Sequence, residues 1–85
     1  MTSFDARLRV VGQSGFPLGV VVDLSGDRMI VTAGSDELAD WAVSDIQVHS
    51  LPDGFHIRAE GEEVVINVSD GALFASEIRR RTTAP

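Results

Sequence analysis

The feature that most constrains this chain is a change of hydrophobic period near Ser69. Up to Val68 the apolar residues recur at every second position in short runs; beyond it they recur at helical spacing. Phe55, Ile57 and Ala59 alternate with polar neighbours, and Val64, Ile66 and Val68 do so again after a turn at Gly61-Glu62. Successive side chains of a strand point to opposite faces, so each run presents one apolar face that must lie against another element. The expected class is therefore mainly β with one helix (α+β): two packed antiparallel sheets or an open barrel of six or seven strands, closed by a C-terminal helix.

The other elements follow from the same patterning. Arg7–Val11 alternates, Leu18–Asp23 is apolar and β-branched, and Arg28–Thr32 returns as its hairpin partner after a turn at Leu24–Asp27. Residues 33–39 read as irregular, a short strand fits near Leu38–Val43, and Asp45–Ser50 alternates again. Leu51-Pro52-Asp53-Gly54 is the strongest turn signal: Pro52 presets φ, Asp53 can bond the local backbone, and Gly54 tolerates positive φ. Ile46 and Val48 share a face with Phe55 and Ile57 only if that loop has even length, because a slip of one residue exposes the whole apolar set. His49 and His56 then stand opposite each other on the outer face. Ser69 or Asp70 is the expected N-cap of the helix. Leu73, Phe74 and Ile78 form its apolar stripe, and Arg79-Arg80-Arg81 lies in its last turn as a solvated feature that offsets the helix dipole.

Composition bounds the function. With 85 residues the chain is a single domain, its core running from about residue 6 to 80 and a tail at 82–85 from which a longer chain could continue. A domain this small buries only about 60–65 % of its unfolded surface, which leaves little room for an internal active site. The absence of cysteine excludes disulfides and thiolate zinc sites. The N-terminus has no signal-peptide pattern. The longest uncharged stretch, Val10–Val22, is broken by glycines and Pro17 and falls short of the ~20 apolar residues that cross a bilayer. Stable membrane insertion is not expected, and the cytoplasm is the default location. Thirteen acidic against seven basic residues, net −6, disfavour nucleic acid and anionic lipid as general partners. All seven basic residues are arginine, a bias that fits a GC-rich bacterial genome.

Four groups of residues are candidate sites. Trp41, the only tryptophan, is either a packing anchor or a partner-binding hot spot, and the anchor takes precedence because aromatics supply much of the buried area in small domains. Phe16, Pro17 and Leu18 place apolar side chains in a loop between glycines; exposed, they would dock a partner or a second copy, and folded back they are core. Arg7, Arg9 and Arg28 are the candidates for an anion. His49 and His56 form a weak metal pair without a nearby carboxylate, so no metal is expected. The serines sit mostly at turns with no nucleophile elbow, and no glycine-rich phosphate loop occurs. Neither a catalytic residue nor a cofactor is indicated, and an enzyme is not expected.

From Leu38 to Ile78 the order of elements resembles the second half of a small bacterial pleckstrin-homology-like (PH/GRAM-like) domain. The residues that carry the resemblance are Trp41 with Ile46 and Val48, Phe55-His56-Ile57-Arg58, Val64-Val65-Ile66, and Phe74 with Ile78. The resemblance implies near-orthogonal antiparallel sheets capped by a helix, and a role in protein docking or, in some members, head-group binding. The expected function is a non-catalytic protein-interaction or scaffold module whose partner is another protein or a second copy, bound at the Phe16 loop or at an exposed sheet edge. The alternatives are an anionic head-group or phosphate-ligand domain and a small accessory subunit of an enzyme complex.

Overall fold

The structure is a computed structural model, and it describes residues 2–12 and 17–82. Seven strands precede one helix: β1 (Thr2–Val10), β2 (Leu18–Ser25), β3 (Arg28–Ala33), β4 (Asp36–Ala42), β5 (Gln47–Leu51), β6 (Gly54–Ala59), β7 (Glu62–Val68) and α1 (Gly71–Thr82). A single 3-10 turn, Val43–Asp45, links β4 to β5. The strands form one antiparallel sheet in the order β4-β3-β2-β1-β7-β6-β5, curled into a half-barrel. Of the two expected architectures, two separate packed sheets give way to this continuous one. The reason is β1, which is bonded on both sides. Thr2–Leu8 pairs with β2, and Ala6–Val10 pairs with β7. The two ladders overlap only at Ala6–Leu8, so β1 turns one meander into the next.

β1 starts at Thr2 rather than Arg7, and Phe4 is buried, so the core begins before residue 6. Phe4, Ala6, Leu8 and Val10 are one period-two stripe, in which a small alanine marks the rhythm weakly. The stretch expected to be irregular is mostly β4. It pairs with β3 after a two-residue turn at Gly34-Ser35, where Gly34 has φ +62°. A bulge hides its alternation: Ala39 faces Val31 and Glu37 faces Thr32, which leaves Leu38 unopposed and exposed.

The β5–β6 hairpin has the expected register, whereas the β6–β7 turn falls at Glu60-Gly61 rather than Gly61-Glu62, so that Ala59 pairs with Glu62. Leu51 pairs with Gly54 around the two-residue loop Pro52-Asp53, Val48 with Ile57, and His49 with His56. Ile46, Phe55, Ile57, Val64 and Ile66 converge on the core with Val20, Val22, Leu24, Met29 and Val31 from the first meander.

α1 joins the two meanders. Asp70 is its N-cap, its Oδ1 accepting the Leu73 amide at 3.1 Å. Phe74 is fully buried and meets Phe4 of β1 edge-to-face at 5.4 Å and Phe55 of β6 at 4.8 Å. Such pairs add about 0.5–1.5 kcal/mol each beyond the area they bury. Ile78 is buried beside Phe74, but Leu73 is 44 % exposed, which corrects the expected sealing stripe. Each helical residue turns about 100°, so a buried face centred on Phe74 takes in Glu77, Ile78 and Arg81 and swings Leu73 to the flank. Arg81 is likewise not a solvated end. Its Nε donates to the Gly26 carbonyl at 2.7 Å and its Nη1 to Glu77 Oε1 at 2.7 Å, tying the helix to the β2–β3 turn. The hydrogen bond from Arg81 holds the Glu77 carboxyl below its ordinary pKa. No helix among the described residues is long and apolar enough to cross a membrane.

Candidate functional site

The most structured polar cluster lies on the outer face of the second meander. Alternation turns Glu63, Val65 and Asn67 of β7, His56 and Arg58 of β6, and Gln47, His49 and Leu51 of β5 outward. The registers align Arg9, Val65, His56 and His49 in one row across four strands. Val65 is only 1 % exposed although it faces away from the core, so its neighbours in this layer pack closely over it. At the end of β6 only glycine fits: Gly54 has φ +134°, and a Cβ there would lie 2.9 Å from Asn67 Oδ1 and 3.0 Å from Val65 Cγ1.

His56 is the centre of the cluster. Its Nδ1 lies 2.8 Å from Glu63 Oε2 and its Nε2 lies 2.8 Å from Asp53 Oδ1. A carboxylate only accepts, and imidazole donates from both nitrogens only when protonated, so this arrangement selects the imidazolium. Accordingly the bond to Glu63, then that to Asp53, raises the His56 pKa above its ordinary value. The reciprocal bonds to His56 lower those of Asp53 and Glu63. Arg9 extends the chain to Asp53 at 3.6 Å, and Arg58 reaches Glu63 Oε1 at 3.5 Å. One ionic run, Arg9–Asp53–His56–Glu63–Arg58, thus pins the β5–β6 turn to β7 and β1. Beside it Gln47, His49, Leu51, His56, Arg58 and Glu63 line an open depression of about 250 Å³.

The opposite side of β5 is apolar. Val48, Ser50 and Phe55 with Ala75, Ile78 and Arg79 of α1 line a groove of about 230 Å³. β5 is also the last strand of the sheet. A strand directs alternate backbone groups to its two sides, so two or three of its five residues offer N–H and C=O groups with no strand beyond them.

The residues singled out from the sequence lie elsewhere. Trp41 is on the inner face of β4 opposite Met29, partly buried against the core. Pro17 and Leu18 are exposed, Leu18 standing opposite Leu8; Phe16 lies outside the described residues. Arg7, Arg9 and Arg28 do not converge. Arg7 and Arg9 share the outer face of β1, whereas Arg28 is bound to Asp40 through Nε at 2.9 Å and Nη2 at 2.8 Å. By register Arg28 lies six residues along the strands from Arg7, roughly 20 Å at ~3.3 Å per residue. Among the described residues no group of three His, Asp or Glu side chains is placed to hold a metal ion.

No family model, no curated protein and no solved structure matches the chain. Sequence reasoning had brought His49 and His56 together but missed Asp53 and Glu63. Part of the signal was present: the Pro-Asp loop fixes Asp53 beside His56, whereas Glu63 follows from the Glu60-Gly61 turn, one residue earlier than the sequence suggested.

Proposed function

We propose that the protein is a non-catalytic interaction module of pleckstrin-homology-like type, acting in a bacterial cytoplasm, which takes an extended segment of a partner protein as an added strand on β5. The observation that carries this reading is the β5 edge itself. It has unpaired backbone groups between two depressions, one polar and one apolar, each lined by residues of β5. Backbone pairing supplies affinity in strand addition, and pockets for alternate side chains supply specificity. The pleckstrin-homology-like character is supported by the element order, a four-strand and a three-strand meander followed by a helix packed on both. Neither the head-group alternative, whose three arginines stand apart, nor the accessory-subunit alternative has a comparable surface feature.

The test is selection of a displayed random-peptide library on the folded protein, followed by amide NMR with a synthetic selected peptide. Shifts confined to residues 47–51 and 75–79, lost in Ala75→Trp, which fills the groove, are expected. Peptides that map to another face, or no selected peptide at all, overturn the reading.

A further inference from the structure

We propose that the segment added to β5 is acidic on its outer face and apolar on its inner face. The inference rests on the strand-addition reading and adds the chemistry of the partner.

The inner preference follows from the groove. Val48 and Ile78 with Ala75 and Phe55 offer an apolar floor that suits an apolar side chain.

The outer preference follows from charge. Around the polar depression the run Arg9–Asp53–His56–Glu63–Arg58 sets three cations against two carboxylates, His56 being bonded to both. Arg58 is two-thirds exposed and lies one strand in from the edge, on the outer face beside Gln47. His49, exposed on β5 itself, faces the same way. A residue on an added strand opposite His49 has its Cβ within about 5.5 Å of the histidine's, and the exposed Arg58 stands one strand further in, beside Gln47. Cations therefore outnumber acids where the new side chains would project. The net charge of −6 does not cancel this, since interactions beyond about 8–10 Å are screened at physiological ionic strength.

The same charges argue against a second copy. Antiparallel pairing of two β5 strands brings no acid of one copy to the depression of the other, because Gln47–Leu51 contains none. The other free margin, β4, is bulged and does not offer a straight partner edge.

The experiment uses two acetylated, amidated heptapeptides, Thr-Val-Glu-Val-Glu-Val-Thr and Thr-Val-Lys-Val-Lys-Val-Thr, titrated into the full chain with amide NMR as the readout. The Glu peptide is expected to bind about fivefold more tightly than the Lys peptide, as two partly exposed ion pairs would give, and to weaken with salt. Arg58→Glu, at an exposed position, should invert the preference, and His49→Glu should do so in part. Equal affinities that shift β5 amides overturn the acidic preference and leave strand addition standing. If neither peptide shifts β5 amides up to millimolar concentration, both fall.

Discussion

At one margin of the sheet β4 carries Asp36, Glu37 and Asp40, and a bulge opposite Val31–Thr32 breaks its ladder. At the other, β5 runs from Gln47 to Leu51 with no acid, no proline and no bulge. β4 has one further guard, because Arg28 Nη2 donates to the Asp40 backbone carbonyl at 3.1 Å while its guanidinium grips the Asp40 side chain. Charges and bulges are the devices by which sheets avoid pairing with foreign strands. A chain that places them on one margin and leaves the other plain has kept the plain one accessible, which is the physical basis of the docking reading.

The contrast can be broken or sharpened experimentally. The largest effect is expected where the two margins share support. Phe74→Ala removes the ring that meets both Phe4 and Phe55 and should cost about 3–5 kcal/mol in urea denaturation. A loss below about 1 kcal/mol would show that α1 does not hold the meanders together. Gly54→Ala should act on the β5 side alone. The strained φ and the close approach to Asn67 and Val65 imply about 1–3 kcal/mol. Amide exchange should rise in residues 47–59 and stay unchanged in 28–42; equal acceleration in both would erase the distinction.

The ionic run gives the β5 side a pH dependence. The raised pKa of His56 contributes stability that is complete below its ordinary value of 6.5 and is lost as pH rises through the raised value. The lowered values of Asp53 and Glu63 contribute above 3.8 and 4.5 and are lost as pH falls through their folded values. This contribution is therefore greatest between pH 4.5 and 6.5, where all three groups are charged. The melting temperature should decline by a few degrees as pH is raised through the folded value of His56. His56→Asn should flatten that limb, and an unchanged profile in the variant would count against the clamp. The smallest effect on stability, within about 0.5 kcal/mol, is expected for Asp36→Val with Glu37→Val at the exposed start of β4. Its signature is instead a concentration-dependent rise in particle size by light scattering, and a strictly monomeric variant would show that the acids are not what guards this margin.

How much of this could be read from residues alone depended on whether a local pattern carried it. The strands of the second meander, the even loop at Leu51–Gly54 and the Asp70 cap are written in alternation and turn chemistry, and they were legible. β4 was obscured because one bulged residue, Leu38, shifts the apolar parity. Leu73 was placed on the wrong face because three apolar residues at 73, 74 and 78 fit two helical phases, and the choice was made by Phe4 and Phe55, which are distant in sequence. The His56 clamp needs three segments in register at once. Asp53 and Glu63 were visible as turn and strand acids, and their convergence on one imidazole belongs to the tertiary structure.

The double role of β1 has a consequence for biosynthesis. During synthesis β1 finds its partner β2 early, yet its other ladder, in which Ala6 faces Val68, waits for the roughly 60 residues between them. At ~5–20 residues per second that wait lasts roughly 3–12 seconds, during which the nascent first meander carries an open seam along β1. A strand-shaped guest that settles there during translation would displace β7, so speed of synthesis, or a chaperone covering that seam, helps decide whether the half-barrel closes on itself.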